Sequence, residues 1–513
     1  MTRIQKQNLW VLIGLAGLVF ALLAVPNATG AKDNSMLSLL SQDESFQYPF
    51  LMHMLAPGTT LQETLTHLIS YNHYLYGYPF YVVSAIAALP VRLIYGAAAP
   101  DQVQLNLLLL RQLVSVLPML VSIVLLVYLQ TRFKSLFRSL LIFALLLSIP
   151  AVMRQNLNWW HPDALAILCV VLTLFYLDRD ELKLGRNFYF AAIACGMASS
   201  IKSIGFFFFV AIAGYLAAGL ISHRSTWKQT LKAGVLFLLI MVAVFVLTNP
   251  LLLSPTHRAA ILQVRLDHKY FFTPGWNNGD VYATGLPSWM PVLNRWYGQT
   301  VFLLFTLASL GVACFYGEQK RLNRLIAAWA LPLGIYLIAF IAIKPDHYWM
   351  PVLLPVFSSA LGLMPFRLGE PYNKPFIGMF GGLIVIAFLA SQFIFNIQTD
   401  TFQTRSIMIQ ERLLISCNSS PENKEDGPPA SLEAGTWYRV IVSDRSVTPP
   451  TAQFKVMQGP DQVSIRADIG GSQAWACRNE TEARFNALEK ANEFKWTNVR
   501  YRVFGPDGAE ILR

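Results

Sequence analysis

Charge is scarce in this 513-residue chain: Asp, Glu, Lys and Arg together make up 13% of it, against roughly 25% in soluble globular proteins. With 54% hydrophobic residues and a mean hydropathy of +0.44, that scarcity excludes a soluble enzyme, a disordered chain and a coiled coil. The alternating short strands of an outer-membrane barrel are missing. Cysteine is scarce too. Of the five, Cys169, Cys195 and Cys314 lie in apolar runs and read as inert core residues. Cys417 and Cys477 lie in a polar tail, where an oxidising compartment would let them pair. This usage does not suit haem or zinc. No P-loop, GxGxxG or GxSxG is present, and no internal repeat. Acids (29) are outnumbered by Lys and Arg (40). Much of that excess sits in short loops between apolar runs, where positive charge sets orientation, so no nucleic-acid partner is read from it.

What is abundant is apolar sequence in runs near the ~20 residues that cross a bilayer. The first, Leu9 to Val25, follows Arg3 and Lys6 as in a signal peptide; the many runs after it favour a retained anchor. Others lie near 79–95, 105–129, 139–150, 162–177, 188–200, 203–221, 233–249, 299–316, 325–343, 349–365 and 376–397. The expected fold is an all-α polytopic membrane bundle over residues 1–397, with a first outer loop at 26–104 carrying juxtamembrane helices. Residues 398–513 are expected to form a small soluble domain, mixed α/β or β-rich, with strand-like pieces such as Trp437 to Val442 and a loop at Ser419 to Pro429. Six inter-run segments are basic: Arg3/Lys6, Arg132/Lys134/Arg138, Arg179/Lys183/Arg186, Arg224/Lys228/Lys232, Lys320/Arg321/Arg324 and Arg367/Lys374. All fall on the cytoplasmic side only if the 79–95 run, which holds Pro79, Pro90 and Arg92, does not cross. That gives about eleven spans, the N-terminus inside and the polar tail outside.

With this topology the unusual chemistry collects on the outer side, and ionisable groups at span ends usually mark a site. Asp43, just beyond the first run, suits a general base. Ser41-x-x-Glu44 also matches a capping box, although Pro49 is expected to interrupt that helix early. Adjacent carboxylates point in different directions on a helix or a strand, so Asp43 and Glu44 do not share one role. Trp159-Trp160-His161-Pro162-Asp163 opens a span; an interfacial aromatic belt explains the tryptophans but leaves Asp163 needing a partner. Lys202, between two apolar runs, reads as a snorkelling anchor or a phosphate ligand. Lys344 to Met350 puts a cation, His347 and the aromatic Tyr348 at the mouth of a run broken by Pro351 and Pro355. Arg111 lies in the outer third of its run and is placed to snorkel outward. His257-Arg258 and Asp267-His268-Lys269 have no metal-ligand spacing. Asn418 and Asn479 sit in glycosylation sequons, a pattern common by chance.

Few acids and more cations in an outward-facing cavity suit an anionic lipid substrate. A polyprenyl-phosphate sugar carries a good leaving group, so its transfer needs one base for the acceptor hydroxyl and cations for the departing phosphate. A glycosidase would need an acid as well. A transporter would set its charges near mid-membrane, often with inverted repeats; a polysaccharide polymerase or ligase using pyrophosphate donors, and a non-catalytic lipid or glycan receptor, are further alternatives.

The Asp43-Glu44 pair after the first run, Tyr78-Pro79-Phe80-Tyr81, Arg111, His161-Pro162-Asp163, Lys202 and Lys344 through Pro351 together resemble the GT-C superfamily of membrane glycosyltransferases. The pattern over about residues 1–397 is nearest to protein O-mannosyltransferases and lipid A aminoarabinose transferases. The resemblance implies an inverting single displacement from a polyprenyl-phosphate sugar to a lipid, glycan or protein acceptor, in a bacterial inner membrane with the site outside. It implies Asp43 as the catalytic acid of loop one, with Glu44 and Asp163 in support and a divalent metal near Asp43 and Asp163 an option; no cofactor is certain. Lys202, Lys344, Arg154 and Arg111 would bind the donor phosphate. His161, His347, Tyr348, Trp160, His257 and Arg258 would contact substrate. Two departures stand out: Gly77-Tyr78-Pro79 replaces paired prolines, and Trp349-Met350 stands where Leu is common.

Overall fold

A computed structural model of the chain describes residues 1–32, 37, 41–267, 283–316, 318–363 and 383–396, together with the backbone of six strands between 437 and 512. The membrane part is helical. Six helices among the described residues are long and apolar enough to cross a bilayer: Arg3–Asn27, Tyr78–Asp101, Val103–Thr131, Ile204–Ile221, Trp227–Leu247 and Lys320–Phe340. At 1.5 Å rise per residue, ~20 residues cover the ~30 Å hydrocarbon core. Leu286–Trp296 and Thr300–Phe315 would make a further span, but they meet at a 96° bend. Other expected runs fold as shorter helices: Leu136–Ser148, Met350–Ser358 and Leu383–Asn396. The 79–95 run is continuous helix through Pro90. Its length and composition are those of a span, so neither its prolines nor Arg92 breaks it.

Local chemistry explains several boundaries. Thr2 and Gln5 form a reciprocal capping box at the start of the first helix, and Thr226 with Gln229 repeats it before Trp227–Leu247. Each pair satisfies two orphan amide donors. Two expectations fail in the first loop. Ser41 does cap the helix Gln42–Met54, but its side chain makes no capping bond, and the helix runs on through Pro49. The reason is tertiary: Glu44 is drawn into a buried ion pair, and Tyr48 and Leu51 anchor the helix in the core.

The helices Asp163–Asp180 and Arg186–Lys202 pack on each other at the centre. Their apolar faces join one large buried cluster that includes Phe188, Trp289 and Trp329. A second cluster, around Tyr48, Phe80, Tyr81 and Trp160, holds the first loop down. Polar groups gather at opposite ends of the Asp163 helix, ~25 Å apart by its length. At its last turn Asp178 binds Arg132 and Arg321, while Lys134 meets Glu318. Gln5 and Asn8 donate to the Arg132 and Phe133 carbonyls there. Basic segments from four parts of the sequence thus share one end.

The backbone of β1 (Trp437–Asp444), β2 (Thr451–Gln458), β3 (Val463–Ala467), β4 (Ala474–Cys477), β5 (Val499–Phe504) and β6 (Glu510–Leu512) forms an antiparallel sheet in the order β4-β3-β2-β1-β5-β6. Val440 in β1 pairs with Phe454 in β2 and with Val503 in β5. The 397/398 boundary, Cys417 and the two sequons lie outside the described residues.

Candidate active site

Two neighbouring acids at the start of the helix Gln42–Met54 part company, as successive positions on a helix must. Glu44 is fully buried. It accepts a two-pronged bond from Arg111, at 2.8 Å from Nε and 2.5 Å from Nη2, and a third from the Trp160 amide at 2.6 Å. Arg111 Nη1 donates to the Asn27 and Thr29 carbonyls at 2.8 and 2.9 Å and to Asn158 Oδ1 at 3.3 Å. A planar guanidinium bound bidentately on one side, bonded through Nη1 on the other and buried is not open to a ligand. Arg111 therefore does not snorkel outward or reach a donor phosphate, and Glu44 does not face the site. Together they staple the first loop to the bundle. Asp43 is exposed, and its Oδ2 accepts from the Trp159 indole at 3.3 Å.

Trp160 is also structural. It is buried, stacks on Phe80 at 5.3 Å and donates from Nε1 to Ser84, so it has no surface for substrate. The adjacent Trp159, not singled out as a site residue from sequence, stacks on His161 at 4.3 Å instead. His161 is buried, with Nε2 2.7 Å from the Tyr76 hydroxyl. Burial pushes its pKa down to about 4 against the opposing pull of Asp163, so the ring is neutral.

Asp163 opens the central helix and is buried. One oxygen takes the Lys202 ammonium. The other lies 2.9 Å from His161 Nδ1 and 3.8 Å from His347 Nε2. Despite that proximity, Asp163 Oδ2, His161 Nδ1 and His347 Nδ1 complete no hydrogen bond of good geometry. Buried polar atoms left this way call for an explanation. His161, Asp163 and His347 can each turn one ligand atom to within 4.8 Å of the others. Asp43 is not in that group, which sets Asp163 beside His161 and His347 instead.

Lys202 reaches this position because its helix ends there. Ser203 turns the chain at φ +60° into a short 3-10 segment, Ile204–Phe208. The turn is held from outside by Gly77, whose amide donates to the Ile201 carbonyl at 3.1 Å. A Cβ on residue 77 would lie 1.6 Å from the Ser200 carbonyl oxygen. That close approach accounts for glycine at position 77; nothing in it explains Tyr78 in place of a second proline. The Lys202 ammonium also lies 5.2 Å above the Tyr348 ring.

Two cavities meet at His347, which lines both. The first, about 290 Å³, has Asp163, Lys202 and Tyr348 at a polar end and Leu75, Ile204, Phe207, Leu333, Leu337 and Ile341 along its walls. The second, about 340 Å³, is lined by Asp43, Arg154, Trp159, Trp296, Lys344, Pro345 and Asp346. Arg154 pairs with Asp346 at 3.1 Å and lies 4.8 Å over the Trp296 ring. Lys344 donates to the Ile341 and Ala342 carbonyls, and its ammonium sits 4.5 Å over Trp289. Burial lowers its pKa to about 8. Of the four cations expected at one phosphate, then, Lys202 faces one cavity, Arg154 and Lys344 the other, and Arg111 neither. His257 and Arg258, on the helix Pro255–Asp267, line neither cavity; His257 bonds Ser254 and Arg258 is exposed. Trp296 and Asp346 carried no sequence signal for the site beyond lying in outer segments.

No family model and no curated protein matches the chain. Among solved structures it is similar to ArnT from Cupriavidus metallidurans bound to undecaprenyl phosphate, at 12% identity and a TM-score of 0.46 over 80% of this chain and 66% of that one. It is also similar to the Archaeoglobus fulgidus oligosaccharyltransferase in its apo form, at 14% identity and a TM-score of 0.43 over 81% and 58%. The chain thus spans about two thirds of the first and somewhat less of the second.

Proposed function

We propose that this chain is an integral membrane glycosyltransferase of GT-C type, which moves a sugar from a polyprenyl-phosphate donor to a hydroxyl of a lipid, glycan or protein acceptor. The supporting observation is the arrangement of two cavities that share His347: an exposed carboxylate, Asp43, in one, and a lysine at the end of an apolar channel in the other. Asp43 takes the proton of the acceptor hydroxyl as its oxygen attacks the anomeric carbon. The bond from that carbon to the phosphate oxygen breaks with inversion, and polyprenyl phosphate leaves with both electrons. Lys202 neutralises the departing charge, an interaction that strengthens in the transition state. The apolar walls suit the first isoprene units. Few steps need a proton donor because the phosphate is already a good leaving group.

Asp163 holds Lys202 in place. The buried His161 and Asp163 and the half-buried His347 also fit a divalent cation, and mixed imidazole and carboxylate ligands suit such an ion. When bound, it would supply positive charge to the phosphate. Tyr76, on the far ring nitrogen of His161, would fix that ring's orientation.

In this reading the chain crosses the membrane about eleven times, with the helix Tyr78–Tyr95 lying at the surface. The site and residues 398–513 face outward from a bacterial inner membrane, and that last portion helps dock the acceptor. The test is release of polyprenyl phosphate from polyprenyl-phosphate sugars by the purified chain. Asp43→Asn is expected to lose at least ~100-fold in rate, the usual span for a removed general base, while remaining folded. Full activity in that variant would remove the proposal, as would flux through liposomes without a covalent product.

A further inference from the structure

The two cavities differ in what they accept, and the difference bears on the acceptor. The base must touch the acceptor hydroxyl, so on the reading above the cavity holding Asp43 is the acceptor's. It carries little apolar wall for an isoprenoid tail. It is bordered instead by two indoles, Trp159 stacked on His161 and Trp296 under Arg154, and by two cations. Arg154 is matched by Asp346. Lys344 pairs with no carboxylate among the described residues. Two of its three N–H donors go to main-chain carbonyls and the ammonium rests over the Trp289 ring, which leaves one donor and a charge that no carboxylate balances directly. Asp43 and Asp346 line the same cavity, but neither forms an ion pair with the half-buried Lys344 ammonium, so an anion entering the cavity can take that position.

We propose that the acceptor is itself an anion, a hydroxyl-bearing molecule whose phosphate or carboxylate binds Lys344, with Arg154 alongside, while its sugar or glycerol portion lies between the tryptophans and turns a hydroxyl to Asp43. Lys344 is thus assigned to the acceptor and Lys202 to the donor. This rests on the transferase reading, but binding separates the two. The cavity volume is within the ~300–1,000 Å³ of small-molecule sites.

The experiment uses the full chain in nanodiscs and measures affinity by tryptophan fluorescence for five probes: glucose 6-phosphate, glucose, phosphatidylglycerol, phosphatidylcholine and undecaprenyl phosphate. Glucose 6-phosphate or phosphatidylglycerol, according to whether the acceptor is soluble or lipid, is expected to bind at least tenfold more tightly than glucose or phosphatidylcholine. Lys344→Gln should remove that preference and Lys344→Arg restore it, with undecaprenyl phosphate binding unchanged in both. Lys202→Gln should do the reverse. Equal binding of charged and neutral probes, or a Lys344→Gln defect confined to undecaprenyl phosphate, would overturn the assignment. If undecaprenyl phosphate fails to bind the unaltered chain while Lys344 still captures an anion, the donor reading falls and the anion site stands.

Discussion

The two ends of one helix, Asp163–Asp180, carry acids in opposite conditions. At the last turn Asp178 is bound by Arg132 and Arg321. Asp180 accepts from the Leu184, Gly185 and Phe188 amides and the Tyr215 hydroxyl. Those four bonds pin the following loop, and every lone pair has a purpose within the fold. At the first turn Asp163 has one oxygen on Lys202 and the other 2.9 Å from His161 Nδ1 and 3.8 Å from His347 Nε2, with no well-aligned donor on it. Satisfied acids hold structure, whereas an acid left partly unsatisfied in a cavity is poised for a ligand. The same contrast divides Glu44 from Asp43 one residue apart.

The strongest way to sharpen that contrast is Arg111→Ala. Stranding the buried Glu44 carboxylate should cost about 3–5 kcal/mol, read as loss of the monodisperse folded species in detergent. A well-folded variant that has lost only donor affinity would return Arg111 to the site. Asp163→Asn should next lower transfer roughly 100-fold through lost electrostatic support, with its thermal midpoint little changed. Collapse of the fold in that variant would make both ends of the helix structural. Asp178→Asn should behave oppositely, lowering stability by about 1–3 kcal/mol while the surviving folded protein keeps its specific activity. The smallest effect is in pH. Burial favours the neutral amine of Lys344, so its charge is full well below pH 8 and falls as pH rises through about 8. Anion binding in the Asp43 cavity should therefore weaken about threefold between pH 7 and 8.5, and the loss should move to higher pH in Lys344→Arg. Asp43, Arg154, Asp346 and His347 face the same cavity, so the arginine variant is what isolates Lys344.

Much of this was legible in the sequence because apolar runs and one-sided charge are one-dimensional signals. The helical membrane architecture followed from run length, and the separation of Asp43 from Glu44 from helix geometry alone. Lys202 stood out for lying where a loop was too short to explain it, and the structure sets it on Asp163. Arg111 was misread because a cation near the end of an apolar run looks the same whether it reaches for water or for a buried glutamate 67 residues away. Trp160 was chosen over Trp159 for a similar reason: adjacent residues differ in facing, which only the packing of Phe80 and Ser84 decides. Pro49 was overrated as a break, since the buried Glu44 ion pair and the buried Tyr48 and Leu51 hold its helix together through the missing hydrogen bond.

The span that begins at Val103 widens to a π-helical turn over Arg111–Val116 before resuming as Leu117–Thr131. Upstream, Asn106 must meet the Tyr48 hydroxyl; within the turn, Arg111 must meet Glu44 and Ser115 the His161 amide. A π turn holds one residue more than an α turn, so removing one residue here would let the segment close up as regular α-helix, with the halves on either side keeping nearly their present facings. The chain would stay helical and apolar, and by hydropathy it would look intact. The change would fall inside the turn, where the ~100° advance per residue sets where Arg111 and Ser115 point. A single-codon deletion within Arg111–Val116 would therefore trade the Arg111–Glu44 pair or the Ser115–His161 bond for a straight helix.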